Sequence, residues 1–262
     1  METVLSWPMW IVGILFVVVS VGIAVLLVAA LRPVVTRLAG DDHNSVLGNA
    51  FAAVATLFAI VAGLLVFAVV GAFAAASTAC SQEAAGLTQM YRNVQIFPQP
   101  QRSQAGEVIK AYTLSVQEDE FPTMARGQRS PETGKAMDDM FNVIGNMTPD
   151  KSWSDQYTVV ARKMTDIVAL REARIESSAP VLSPIYLIVL SISAIVTLAC
   201  LALIHTENSL THMLAVGLVA SVLGLVMFLM VELNSPYNGE ISVGPSSFDN
   251  TLRTIERISG TG

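Results

Sequence analysis

FAAVATLFAIVAGLLVFAVVGAF, residues 51–73, contains no charged residue and does not alternate between apolar and polar positions. It lies within a longer uncharged run, residues 44–82. About 20 apolar residues are enough to cross the hydrocarbon core of a bilayer as a helix, whereas a strand of a membrane barrel requires alternation. We therefore predict a transmembrane helix that begins near Ser45. Because the run is about twice the required length, we expect the helix to continue past the bilayer as a stalk that ends at Pro98 and Pro100.

Three further segments are as apolar, and together with the first they account for a chain with 53% apolar and only 14% charged residues among 262. A soluble domain has roughly 25% charged residues. The N-terminal apolar segment is not interpreted as a secretory signal, because no positive charge precedes it and it is longer than the apolar region of such a signal. We predict four transmembrane helices: about 8–31, ended by Arg32 and Pro33; the helix from Ser45; 184–204; and about 210–231.

Residues 101–180 form the hydrophilic block of the chain, and apolar residues recur there at helical spacing. We predict helical hairpins, with RGQRSPETG (126–134) as a loop in which Ser130 caps a helix before Pro131. The tail after Gly239 carries an amphipathic stripe that begins at Phe248, so we expect a short helix folded back onto the block. The predicted fold is an all-α membrane protein, divided into transmembrane helices 1 and 2 (1–76), an extramembrane helical block (77–180), transmembrane helices 3 and 4 (181–232), and a turn and tail (233–262).

The orientation of the block relative to the membrane depends on few charges. Arg32 and Arg37 follow the first span, which favours a cytoplasmic first loop and an outward block under the positive-inside rule. Basic residues at the end of the block, among them Arg171 and Arg174, favour the reverse. A reporter near residue 140 and one near residue 208 are expected on opposite sides.

Composition and motifs exclude several functions. A net charge of −6 and a pI near 5.0 argue against nucleic-acid binding. The two cysteines show no zinc-binding spacing, and no nucleophile is accompanied by a base and an orienting acid, so we predict neither an enzyme nor a cofactor. His43, His205 and His212 fall on one predicted face and are weak candidates for a metal site, although loops on a membrane protein are polar in any case.

Helix 2 is rich in small residues, which permits two interpretations. One is close packing within a bundle or an oligomer. The other is that part of the helix lines a narrow pore that closes by dewetting. The pore-lining candidates are Thr56, Phe58, Ala59, Ala62, Leu65 and Phe67.

Two further groups of residues have a predicted structural role. Glu83, Arg92, Arg171 and Arg174 lie on helices that leave the membrane side by side, so we expect a charge cluster that locks the stalk, and Arg92→Ala to destabilise assembly. The chain turns where Pro236 fixes one φ and Gly239 permits a positive φ. The complete set of tail-turn residues is Pro236, Tyr237, Gly239, Pro245 and Phe248.

With these residues in view, the sequence resembles the bacterial bestrophin-like membrane proteins. The resemblance lies in Glu83-Ala84 and Tyr91-Arg92, in Arg171 and Arg174, and in the tail-turn residues. The chain departs from the family pattern at Asn234, where an acidic residue is frequent, and at Phe121, where a tryptophan is frequent. The similar stretches are VATLFAI (54–60), EAAGLTQMYRNVQIFP (83–98), YTLSVQEDEFPTM (112–124), LREARI (170–175) and NSPYNGEISVGPSSF (234–248).

The resemblance implies a homo-oligomer in a bacterial inner membrane, by analogy with bestrophin channels a pentamer whose axial pore is lined by the second transmembrane helix. It also implies a cytosolic block, contrary to the charge argument from Arg32 and Arg37. The predicted function is an ion channel or channel-like protein, with the bilayer and monovalent ions as partners. The alternative is a non-conducting scaffold or sensor whose helical block binds a partner.

Overall fold

The computed structural model describes residues 8–38 and 43–260, and within those ranges the chain is helical and has no strand. The all-α prediction is thereby confirmed. The helices are α1 (Met9–Leu38), α2 (His43–Val94), α3 (Gln101–Ser115), α4 (Phe121–Met124), α5 (Pro131–Gly145), α6 (Ser154–Glu176), α7 (Pro184–Ala202), α8 (Ser209–Leu233) and α9 (Ser246–Ser259), with a π-helical segment, Val116–Glu120, between α3 and α4.

The helices α1, α2, α7 and α8 are long and apolar enough to cross a membrane, as predicted. Hydroxyl groups inside them donate to a carbonyl of their own helix: Thr56 Oγ1 donates to Ala52 O at 2.7 Å and Ser191 Oγ donates to Leu187 O at 2.7 Å. This pairing removes the cost of an unsatisfied polar group in lipid.

Two predicted helix ends are wrong. α1 does not end at Arg32 and Pro33 but continues to Leu38. A proline removes one backbone donor and bends a helix without always ending it, and Thr36 Oγ1 donates to the Pro33 carbonyl at 3.1 Å one turn later. The second helix does extend far past one bilayer length, as expected, but it ends at Val94, before the prolines.

The described chain divides into two compact units. The first, called the membrane unit, comprises the residues up to Gly71, Pro180–Ser235 and Gly239–Ile241; the second, called the helical unit, comprises Ala72–Ala179, Pro236–Asn238 and the chain from Ser242 onward. Each unit has its own apolar core.

In the membrane unit, α8 packs against both α1 and α7. The contact with α1 is close because Gly224 has no side chain: a Cβ at this position would lie 2.7 Å from Ser20 Oγ and 2.9 Å from the Phe16 carbonyl oxygen. Small residues bring transmembrane backbones together in this way, and van der Waals contact then supplies the association.

In the helical unit, the predicted cap is confirmed, because Ser130 Oγ accepts a hydrogen bond from the Thr133 N–H and Pro131 is the first residue of α5. The predicted loop therefore ends at Ser130, and the residues after it are helical. The tail forms α9, as expected, and its Thr251 Oγ1 donates to the Ala84 carbonyl of α2 at 2.9 Å.

Candidate functional site

Three rows of residues run along α2 in the membrane unit, each with members three or four positions apart. One row is buried in the core of the unit and contains Phe58, Ala62 and the half-buried Leu65. A second row is exposed and aliphatic: Leu57, Ile60, Leu64. The third row is exposed and consists mainly of small residues: Ala52, Thr56, Ala59, Gly63 and Phe67.

The six pore-lining candidates therefore fall into two groups. Phe58, Ala62 and Leu65 contact the core of their own unit, so they are not free to face a pore. Thr56, Ala59 and Phe67 share the exposed small-residue row, and 78% of the Phe67 surface is accessible. Helical periodicity alone could not separate the groups, since it does not say which face the protomer's core covers.

A buried ion-pair cluster lies in the helical unit. Arg174 of α6 is completely inaccessible and donates from Nε to Glu83 Oε2 of α2 at 2.7 Å. Its Nη2 donates to Glu120 Oε2 at 2.5 Å, and Arg171 Nη2 donates to the other oxygen, Glu120 Oε1, also at 2.5 Å. The Tyr112 hydroxyl donates to Glu83 Oε1 at 2.7 Å. Two arginines thus neutralise two carboxylates.

Aromatic and sulfur groups complete the surroundings of Arg174. Its guanidinium carbon lies 5.7 Å from the ring centroid of Phe121 and 5.5 Å from that of Phe248, which is within the range of cation–π attraction. Its Nη1 donates to Met124 Sδ at 2.9 Å. Every donor nitrogen of this guanidinium therefore has a partner, as a buried charge requires.

The cluster shifts the pKa of its members in ways that follow from its geometry. Burial alone would lower the pKa of Arg174, but attraction and hydrogen bonding from Glu83, with further attraction from Tyr112 and Glu120, raise it well above the usual value. Burial is the largest cause of the raised pKa of Tyr112, and the negative charge of Glu83 adds to it. The arginines remain charged and the tyrosine remains protonated across the physiological range.

The structure brings together three of the four residues predicted for this cluster. Glu83, Arg171 and Arg174 belong to it, whereas Arg92 is exposed and lines a shallow groove between α2 and α9. Glu120, which was not predicted for the cluster, pairs with both Arg171 and Arg174. A signal for Glu120 was present in the sequence. It lies four residues after Val116, which continues the apolar stripe of α3 into the next segment, and a charge in line with a buried stripe requires a partner.

The tail-turn residues divide between the two units. In the helical unit, the Tyr237 hydroxyl donates to the Ala76 carbonyl at 3.3 Å, and Phe248 is completely buried, with its ring 5.8 Å from that of Phe121. Pro236 accepts from the Val243 N–H at 2.8 Å, and Pro245 directly precedes α9. Burial raises the pKa of Tyr237.

Gly239, in the membrane unit, has a φ of 99°, which confirms the predicted positive value. A Cβ at Gly239 would lie 2.7 Å from Glu232 Oε1. That oxygen accepts from the Glu240 N–H at 3.1 Å, so glycine allows the buried carboxylate to hold the turn.

The three candidate histidines do not form a metal centre, since no group of three or more His, Cys, Asp or Glu side chains within residues 8–38 and 43–260 is arranged to hold an ion. His43 Nε2 is 3.1 Å from the Leu203 carbonyl oxygen, at the C-terminal end of α7. His205 and His212 instead line a cavity near the same end of the membrane unit.

Comparison with known proteins gives the class of this fold. The Bestrophin-like domain family matches residues 18–248. No curated protein is significantly similar to the chain in sequence. Among solved structures, a bacterial bestrophin homologue from Klebsiella pneumoniae is similar at a TM-score of 0.71, with 14% identity over 94% of this chain and 98% of that one. A single-substitution variant described under the same name gives a TM-score of 0.74 at 14% identity, again with 94% and 98% covered.

A further crystal structure, of a protein described only as a membrane protein, gives a TM-score of 0.73 at 16% identity over 94% of this chain and 98% of that one. At such identities the structural similarity concerns the fold. The family match covers most of the sequence, and the chain therefore belongs to the Bestrophin-like family.

Proposed function

We propose that this protein is a homo-oligomeric ion channel of a bacterial inner membrane and that α2 lines its pore. Membership of the Bestrophin-like family and the similarity to bacterial bestrophin homologues support the class and the location. We infer a pentamer by analogy with bestrophin channels.

The observation that carries the pore assignment is the division of α2 into rows. The aliphatic row with Leu57 and Leu64 has the character of a lipid-facing surface. The exposed row with Thr56, Ala59 and Phe67 has small residues that permit close approach of symmetry-related helices around an axis, and one large ring. The Phe67 rings, repeated around the axis, form an apolar constriction that opposes hydration and closes the pore.

Ion flux through liposomes tests this assignment. Phe67→Ala removes the constriction, and we expect flux of a monovalent ion to increase severalfold relative to wild type. Leu64→Ala is the matched control, because Leu64 is exposed on the same helix but lies on the aliphatic row. Equal flux in both variants, a monomeric particle by light scattering, or the absence of flux in every variant would refute the proposal.

A specific observation supports the second candidate function, a non-conducting scaffold or sensor. In the helical unit, a cleft of about 750 Å³ between α3 and α5 is lined by polar groups, among them Gln104, Asn142 and Asn146, and by apolar side chains such as Val108 and Val143. At its edge, Gln101 Oε1 is buried and accepts no hydrogen bond from the described residues. A partner that supplies a donor would satisfy this atom, and the scaffold then predicts an oligomer that passes no ion.

A further inference from the structure

A cavity of about 290 Å³ lies in the membrane unit where the apolar parts of α1, α7 and α8 end. Its lining includes the apolar side chains of Val28, Val35 and Met213 and a set of polar residues, called the rim. Because the charge-free stretch of α1 ends at Leu31, we expect Arg32 to lie near the lipid headgroups. The polar rim residues are Arg32, Thr36, His205, Thr206, Glu207, Ser209 and His212.

The wall formed by the α7–α8 connection is held in place by the start of α2. Asn44 Nδ2 donates to the His205 carbonyl at 2.8 Å, and Asn44 Oδ1 accepts from the His205 N–H at 2.8 Å. His43 contacts the Leu203 carbonyl. Both backbone groups of His205 are thus occupied, and its imidazole, which lines the cavity, is positioned by a rigid backbone.

Arg32 and Glu207 give the rim one formal charge of each sign, so its preference for an anion depends on its donor groups. Arg32 forms no salt bridge with a carboxylate in the described part of the chain, although Glu207 lines the same cavity. The imidazoles of His205 and His212 add donors from two sides. Ser209 is the first residue of the 25-residue helix α8, whose N-terminus adds a partial positive charge. Asn208 Oδ1 caps this helix by accepting from the N–H groups of Leu210 and Thr211.

The geometry points to a binding site for a phosphate group, supplied either by the headgroup of an anionic phospholipid or by free inorganic phosphate. A guanidinium on one wall and hydroxyl and imidazole donors on the others match the several acceptor oxygens of a phosphate. The cavity volume accommodates a phosphate with an attached glycerol, and Val28 lies one helical turn before Arg32, toward the apolar stretch of α1. Basic pockets between transmembrane helices bind anionic headgroups. Glu207 is the opposing charge and weakens the site.

Titration of the detergent-solubilised full chain, followed by native mass spectrometry, tests the site. The probes are dioleoyl phosphatidylglycerol and, as the matched lipid without phosphate, dioleoylglycerol. We expect phosphatidylglycerol to bind more tightly than dioleoylglycerol. Arg32→Gln should weaken phosphatidylglycerol binding about tenfold, because it removes an attractive charge, and Glu207→Gln should strengthen it, because it removes a repulsive charge. Arg37→Gln is the control, because this exposed arginine is close in sequence to Arg32 but does not line the cavity. The affinity of this variant for phosphatidylglycerol should stay within about twofold of wild type.

Inorganic phosphate, compared with chloride at equal ionic strength, distinguishes the two sources through the shift in thermal midpoint that a ligand of the folded state produces. If phosphate raises the thermal midpoint, Arg32→Gln abolishes this effect and phosphatidylglycerol does not bind preferentially, the site binds free phosphate. If phosphatidylglycerol binds preferentially, the site binds the lipid headgroup. If Arg32→Gln does not purify as a folded particle, His212→Gln replaces it, with the same weakening expected. The inference is wrong if phosphatidylglycerol binds equally to wild type, to Arg32→Gln (or its replacement) and to Glu207→Gln, and if the same holds for inorganic phosphate.

Discussion

Arg174 is the centre of the buried ion-pair cluster in the helical unit. Its guanidinium is completely buried and is shared by Glu83 and Glu120, while Arg171 supplies the second positive charge. A buried pair gains little over an apolar equivalent, but loss of one partner leaves charges without compensation. The cluster therefore makes the unit sensitive to single substitutions.

Arg174→Ala should lower the free energy of unfolding by about 3–5 kcal/mol, since Glu83 then loses its buried counter-charge. Arg92→Ala, at the exposed position first predicted to join the cluster, should change it by less than about 1 kcal/mol. Denaturant unfolding of the detergent-solubilised chain, followed by circular dichroism, measures both. If Arg92→Ala destabilises as strongly as Arg174→Ala, the cluster has been assigned to the wrong residues.

Tyr112 predicts a pH dependence at the alkaline end. Because burial raises the pKa of Tyr112 in the folded state, the phenol of the unfolded chain loses its proton first as the pH rises. The contribution of the protonated phenol to stability is therefore complete below about pH 10 and is lost as the pH rises toward the folded-state pKa. Unfolding of wild type and Tyr112→Phe between pH 8 and pH 11, at about 0.5-unit steps, measures this. The difference between the two should shrink as the pH rises above about 10. A difference that stays constant would contradict the raised pKa, and Tyr186→Phe, at a half-exposed tyrosine, controls for general alkaline effects.

At the scale of elements, the contact between α1 and α8 depends on Gly224, where a Cβ would meet the backbone of Phe16. Gly224→Ala should lower the free energy of unfolding by about 1–3 kcal/mol, because one of the two helices must move. Gly217 lies on the same helix with nothing within 4 Å of an added Cβ, so Gly217→Ala should stay within about 0.5 kcal/mol of wild type. Thermal unfolding in one detergent compares them. Equal effects would show that the close approach of α1 and α8 does not stabilise the unit.

The elements also mark the limit of prediction from sequence. The spans, α9 and the Ser130 cap follow from local patterns of hydrophobicity and from side chains that reach nearby backbone. The π-helical segment Val116–Glu120 does not, because a one-residue expansion of a helix is decided by what its side chains contact. Glu120 lies at its end and enters the cluster, so this segment supplies the member of the cluster that was not predicted.

For the whole molecule, the four predicted spans fix a membrane topology. A single span, α7, separates residue 140 from residue 208, so reporters fused near these positions should lie on opposite sides of the membrane. A pair of reporters with opposite compartment signals, such as alkaline phosphatase and green fluorescent protein, measures this in cells. Both reporters active in one compartment would exclude α7 as a span. The absolute result also decides between the charge argument, which places the block outward, and the family resemblance, which implies a cytosolic block.

The sequence by itself determined where the chain enters lipid, because hydrophobicity is a sum over consecutive residues and needs no knowledge of neighbours. It also determined the Ser130 cap and the positive φ of Gly239, which are properties of a few adjacent residues. Only the tertiary structure decided which face of α2 is covered, with Phe58 inside and Phe67 exposed, and that Glu120 rather than Arg92 meets Arg174. Burial and ion pairing join residues distant in sequence, and their energies depend on distances and desolvation that exist only once the helices have packed.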